Sequence, residues 1–267
     1  MFLSTVALPL VIAGAIGLEP AGTRFIVQMA LLVTGVATIV QVYPIGPVGA
    51  RLPIVMGTSA IFVAPLINIG TTLSLAAVVV AVMVAAPLEV VIGSFYDDLS
   101  HLFPPLVTGI GVMLVGLTLI PVVIDYSAGG PGSPMYGNLE HLALAGLVFA
   151  VAIGLNQYFD CLLPISSVMV AVVLGYLLAI PLSLLDVSSV DDAGWVAIPM
   201  PLEFGVEFHP SAIVIAAFAR VTSSIGTTGD IEGTTGTVGR RATSEEMRGG
   251  LVADGVMSMF AGCSTRS

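Results

Sequence analysis

Three ionisable residues, Glu89, Arg220 and Asp254, stand inside long apolar stretches of the chain, where a charge is costly and so marks a candidate functional group. Asp254 lies in GGLVADGVMSMFAG between Gly250 and Gly255, which are small enough to let a neighbouring helix approach. A carboxylate in such surroundings can exchange a proton or hold a cation. Arg220 lies deep within IVIAAFARVTSSIG and is expected to pair with an acid or with carbonyls of a broken helix. Glu89 falls near one end of its stretch, where its side chain reaches water, which points to a structural role. Downstream of Arg220, the hydroxyls of Thr222, Ser223, Ser224, Thr227 and Thr228 follow at helical spacing. Ser223 and Thr227, at i and i+4, share one face and suit either a ligand or a neighbouring helix. His101, His141 and His209 are scattered near the ends of apolar runs and form no metal motif. Cys161 and Cys263 suggest neither a disulfide framework nor a zinc site. All 7 basic residues are arginine, so no P-loop is present. The GTTG repeats around Asp230 and Glu232, within Gly226 to Gly239, read as a flexible turn rather than a phosphate cradle. With no His/Asp/Ser set and no metal spacing, an enzyme is not expected.

The elements that must hold these residues are membrane spans. The chain is 57% hydrophobic and 9% charged, with a mean hydropathy of +1.07, far from the roughly 25% charged residues of a soluble domain. At about 20 apolar residues per crossing, spans are expected near 1–18, 23–42, 53–69, 72–93, 104–124, 139–157, 162–185 and 211–228, with another starting near 248. The first begins at Met1 without the basic lead of a secretory signal, and is expected to lack its beginning. Arg51, Arg240, Arg241 and Arg248 then fall on the cytoplasmic side, leaving Arg24 at the outer edge, a positive-inside pattern. The longest outer loop, Asp186 to Pro210, carries Asp191, Asp192, Glu203, Glu207 and Trp195. The net charge of −10 lies mostly in such connections, and nucleic acid is not an expected partner. One span is interrupted: Tyr43 to Pro65, YPIGPVGARLPIVMGTSAIFVAP, holds four prolines and three glycines. Backbone that leaves the helix at membrane depth is tolerable only inside protein or along a polar cavity, and in transporters it often forms the substrate site.

Several runs, in order along nearly the whole chain, resemble the xanthine/uracil permeases of the nucleobase/ascorbate transporter family. They are Gly49-Ala50-Arg51-Leu52-Pro53 with Gly57-Thr58-Ser59; Leu102-Phe103-Pro104-Pro105 with Thr108-Gly109 and Val115-Gly116-Leu117; Gly175-Tyr176; and Gly249-Gly250-Leu251-Val252-Ala253-Asp254-Gly255. The resemblance implies an all-α polytopic membrane protein with fourteen spans in two inverted seven-span repeats, of which this chain holds an incomplete set. It implies core spans 1 to 4 in residues 1–94, the first incomplete; gate spans 5 to 7 in 95–186; and an outer loop with core spans 8 and 9 in 187–267. In that fold the third span is part helix and part short strand, and the nucleobase lies between it and the tenth span. By position, the third-span substrate site falls on Ser59, Ala60 and Ile61, the eighth-span site on Ser223 and Thr227, and the ninth-span coupling carboxylate on Asp254. Ala60 would act through its backbone and Ile61 through pocket shape. Many relatives carry a glutamate where this chain has Ser223 and an aromatic where it has Ala60, so specificity or coupling is expected to differ.

The resemblance implies transport of a nucleobase, of the xanthine or urate type rather than uracil, coupled to a proton or sodium ion, with no other cofactor. The expected partners are the base and the lipid bilayer of the cell membrane, with a homodimer left open. Relatives continue past Ala261-Gly262 with a segment like VFNAFPNT, whereas this chain ends Cys263-Ser264-Thr265-Arg266-Ser267. A shift of one base in plausible codons restores VFNAF, so a truncated or frameshifted member is expected. The alternatives are an inactive fragment or pseudogene product, a helper subunit that pairs with a separately encoded second half, and an anion carrier of the same fold.

Overall fold

A computed structural model describes residues 2–99, 105–130, 133, 135–158, 163–182, 184 and 205–263. Its helices are α1 (Phe2–Ile16), α2 (Pro20–Val42), α3 (Val63–Thr72), α4 (Leu75–Ser94), α5 (Tyr96–Leu99), α6 (Pro105–Ser127), α7 (Leu139–Tyr158), α8 (Leu163–Ala179), α9 (Pro210–Gly236) and α10 (Ser244–Cys263). Five of these contain stretches long and apolar enough to cross a membrane: Pro20–Val42, Leu75–Ser94, Gly109–Ser127, Leu139–Tyr158 and Pro210–Gly236. Their outward faces carry Leu32, Val84, Ile110, Phe149 and Phe218 in the open, which suits lipid rather than water. The chain is therefore a multi-pass membrane protein. Pro9, Pro87 and Pro121 sit inside helices, as membrane spans allow when neighbours satisfy the freed carbonyl.

The contacts divide the chain into two compact units, residues 1–119 with 197–267, and residues 120–196. In the first, α4 packs along α9 and α10, α2 along α1 and α10, and α1 against α3. The α4–α9 seam is built from small residues: Ala77, Ala81 and Ala85 meet Ala212 and Ala216, with Val78 and Ile69 filling the layer. Without a hydrophobic force between helices in lipid, close approach of backbones is what holds such a seam. A second cluster, Ala50, Leu52, Ile54, Ile231, Met247 and Leu251, seats the turn after α2 on α9 and α10. In the second unit α7 lies along α8, with Gly175 closely against Val148.

Two expectations about elements need correction. The segment Gly226 to Gly239 is not a flexible turn, because α9 runs unbroken to Gly236. Its threonines turn their hydroxyls back onto the helix: Thr228 to the carbonyl of Ser224 at 2.8 Å, Thr234 to Asp230 at 2.8 Å and Thr235 to Ile231 at 3.1 Å. Each hydroxyl is satisfied locally. The third span is interrupted where its prolines and glycines lie, but without the short strand expected there: residues 53–59 are irregular, Ala60–Phe62 form a 3₁₀ turn, and α3 begins at Val63. Among the described residues no strand forms; a lone bridge joins Ile45 and Val48. The expectations for Trp195, Asp191, Asp192, Glu203, His101 and Cys161 lie outside the described residues.

Candidate functional site

The turn after α2 is fixed from two sides. The buried amide of Gln41 accepts the Ala50 N–H at 2.9 Å and donates to the Gly250 carbonyl at 3.1 Å, and the Gly49 N–H donates to the Gly249 carbonyl at 2.9 Å. A Cβ on Gly249 would run into the Gly49 carbonyl, and one on Gly49, at φ 124°, into the Val40 carbonyl and Pro44, so neither position has room for a side chain. The Thr38 hydroxyl then accepts the Met56 N–H at 3.0 Å, which holds the chain away from helical geometry. Beyond it, the N–H groups of Gly57, Thr58 and Ser59 make no backbone hydrogen bond among the described residues. Ser59 precedes the 3₁₀ turn without a side-chain capping bond. The break therefore presents free donors, as backbone along a cavity must.

That cavity has a volume of about 540 Å³ and is lined by parts of α2, the broken segment, α4, α9 and α10. Ser59, Ala60, Ile61, Ser223, Thr227 and Asp254 all line it. They come from three stretches of sequence far apart in the chain. Ser223 is buried on the cavity face of α9, and one turn on the Thr227 hydroxyl donates to Asp254 Oδ2 at 2.6 Å. Asp254 is placed by close packing of α10 on α4: a Cβ on Gly255 would come within 2.8 Å of the Val90 nitrogen.

Glu89 corrects its expectation. It is fully buried, out of reach of water, because α10 covers that end of α4. Its Oε2 accepts Nη1 of Arg220 at 2.9 Å, so Arg220 pairs with an acid rather than with carbonyls of the break. Arg220 Nη1 also donates to Ser258 Oγ at 2.7 Å, and the Phe62 ring lies 4.5 Å from the guanidinium carbon. Ser258, Asp230, Gln41 and Thr34 also line or support the cavity, and sequence reasoning missed them. Ser258 had a signal, since it follows Asp254 at i+4 on one helical face. Neither His141 nor His209 lines the cavity; His209 faces Glu207 at 3.6 Å. Among the described residues no cluster of three or more metal-ligating side chains occurs.

Apolar helices long enough to cross a membrane, packed around a largely apolar cavity with a few polar groups at a broken span, define a multi-pass membrane protein with a cavity between its helices. The family model described as Permease family (Xan_ur_permease) matches residues 1–265, and the chain belongs to that family. A Clostridium perfringens protein named "Putative purine permease" is 38% identical over 257 residues, 96% of this chain and 57% of the relative. The uric acid transporter UacT of Escherichia coli is 31% identical over 266 residues, 98% and 55%, and the xanthine permease of Bacillus subtilis 29% identical over 263 residues, 98% and 60%. The chain thus spans a little over half the length of these curated relatives.

Proposed function

We propose that this chain forms part of a nucleobase permease in which the cavity is the base site. It carries xanthine or urate in preference to uracil by ion- or proton-coupled alternating access. The observation that carries this reading is the convergence of Ser59 to Ile61, Ser223, Thr227 and Asp254 on one cavity of about 540 Å³, a volume in the range of small-molecule sites. Relatives named as transporters of uric acid and xanthine support the substrate class. The free N–H groups of the broken segment face base carbonyls, Ser223 offers a hydroxyl to a base edge, and Ile61 shapes the pocket.

Coupling follows from the Thr227–Asp254 bond. While Asp254 is ionised, the Thr227 hydroxyl donates to it and offers only lone pairs to the base. Protonation of Asp254 lets the acid donate instead and frees the Thr227 hydrogen for the base, so proton and substrate favour the same state. In this reading the inverted-repeat fold of the family supplies the rocking motion, and the broken third span contributes one wall of the site.

The test is uptake of labelled xanthine, urate and uracil by cells expressing this chain, alone and with the C-terminal half of a relative. Xanthine or urate uptake that Asp254→Asn uncouples from the proton gradient is expected. Preference for uracil, or uptake indifferent to the gradient and to Asp254, overturns the reading.

A further inference from the structure

Gln41 stands near the end of α2, 1% exposed, and both ends of its amide are engaged within the protein. Oε1 accepts the Ala50 N–H at 2.9 Å, while Nε2 donates to the Gly250 carbonyl at 3.1 Å and to Met56 Sδ at 3.3 Å. The amide has one possible orientation here, because only its oxygen can accept from Ala50 and only its nitrogen can donate to Gly250. Although it belongs to the cavity wall, its donors are spent on joining segments rather than on meeting a ligand. One acceptor would satisfy the Ala50 N–H. The further bond ends on Gly250, 209 positions away, whose carbonyl is also the helical acceptor for the Asp254 N–H one turn on in α10. That carbonyl is within reach because Gly250 has no side chain: a Cβ there would meet Ile231 Cδ1 at 2.6 Å and Ala50 Cβ at 3.4 Å. One buried amide thus touches both the turn of α10 that carries Asp254 and, through Ala50 and Met56, the stretch that leads into the free donors of residues 57–59.

We infer that Gln41 is a positioning residue for proton coupling: through the Gly250 carbonyl it ties the broken wall of the cavity to the turn of α10 that carries Asp254, so that a change of charge at Asp254 moves the donors of residues 57–59. The inference rests on reading the cavity as a base site with Asp254 as its coupling carboxylate. The Thr227–Asp254 bond brings that change to α9; the Gln41 bridge carries it to the break as well. The groups that set the charge at Asp254 are Thr227 and Asp230 on α9, and Glu89 on α4 with its partner Arg220. Gln41 is uncharged, so replacing it alters the link and leaves those charges in place.

Equilibrium binding of labelled xanthine to the full chain in lipid nanodiscs, at acidic and at alkaline pH, reads the link as a ratio of two affinities. Wild type is expected to bind more tightly at acidic pH by roughly tenfold, within the usual range of coupling between two sites, and Asp254→Asn to bind equally at both. Gln41→Met fills the same space with an unbranched apolar chain. It should cut the ratio to about threefold or less. A side chain that only supported the fold would lower affinity by the same factor at both pH values, and that result overturns the inference. Hydrogen exchange gives a second measurement that needs no change at Gln41: Asp254→Asn should alter the protection of the Ala50 to Ser59 backbone relative to wild type. Unaltered protection there overturns the link whether or not the methionine variant folds. A wild type that binds no xanthine, or binds it without dependence on Asp254, overturns the reading of the cavity as a coupled base site, and the link with it.

Discussion

The seam where α4 meets α9 and α10 and the pair formed by α7 and α8 are both made of apolar helices, yet they are specified differently. The first buries Glu89, Arg220, Ser223, Ser224 and Thr228, and its register is fixed by directional bonds. Among the described residues, α7 buries none and α8 buries Ser167, Ala171, Gly175 and Ala179. In lipid, exposed leucine gains nothing by moving from hydrocarbon to a helix, so apolar surface alone chooses no partner. A seam that must hold a cavity in one geometry needs polar bonds and close backbone contact. A helix pair that mainly faces lipid does not.

Breaking the buried ion pair should have the largest effect. Arg220→Ala leaves Glu89 buried without its cation and is expected to cost about 3–5 kcal/mol, seen as a large fall in unfolding temperature or loss of folded protein in detergent. Replacing both partners by apolar residues, Glu89→Leu with Arg220→Met, should recover most of that loss. The control in the other region is Leu147→Ala on α7, 44% exposed, expected to stay within about 0.5 kcal/mol of wild type. A tolerant Arg220→Ala would mean that polar bonds do not specify the seam.

Close backbone approach sharpens the same contrast. A Cβ on Gly93 would stand 2.8 Å from Leu251 Cβ and 2.9 Å from the Val252 nitrogen. Gly93→Ala must push α10 from α4, at a cost of about 1–3 kcal/mol. Gly146 and Gly154 on α7 have nothing within 4 Å of such a Cβ, so alanine there should stabilise by about 0.5–1 kcal/mol through helix propensity. Thermal unfolding of the three variants decides it, and a destabilising Gly154→Ala would reveal a packing partner on α7.

Much of this was legible in the sequence. Apolar run lengths placed both ends of α1, α2, α4, α6 and α7 to within a few residues because the bilayer fixes how long a span must be. The density of proline and glycine after Tyr43 marked the break for an equally local reason, since those residues cannot continue a helix. The Gly226 to Gly239 segment misled because its composition is that of a turn, while tertiary packing holds it as helix: Ile231 is fully buried and packs against Gly250, and the hydroxyls of Thr228, Thr234 and Thr235 find acceptors on the helix itself. The pairing of Glu89 with Arg220 was hidden for a different reason. The two are 131 positions apart, and no local pattern says which acid an arginine will meet. Position along a span suggested that Glu89 reached water; the helix that covers it begins 155 residues later, as counted from Ser244.

The smallest effect concerns the start of α10, before its apolar part. Thr243 and Glu246 form a reciprocal capping box: the Glu246 carboxylate accepts the Thr243 N–H at 2.8 Å, and the Thr243 hydroxyl accepts the Glu246 N–H at 3.3 Å. Arg240 adds two further bonds, at 2.7 and 2.8 Å, and chiefly through them holds the Glu246 carboxyl down to about 2. A depressed acid stabilises the fold above its unfolded value, and the contribution fades as pH falls from the ordinary carboxylate range through about 2. Glu246→Gln should therefore cost about 1 kcal/mol or less at neutral pH and make stability less dependent on pH between roughly 4.5 and 2. Because this box orients the helix that carries Asp254 while standing outside the membrane, the variant should leave the buried seam intact. A loss comparable to that of Arg220→Ala would mean that the cap, rather than the ion pair, sets the position of α10.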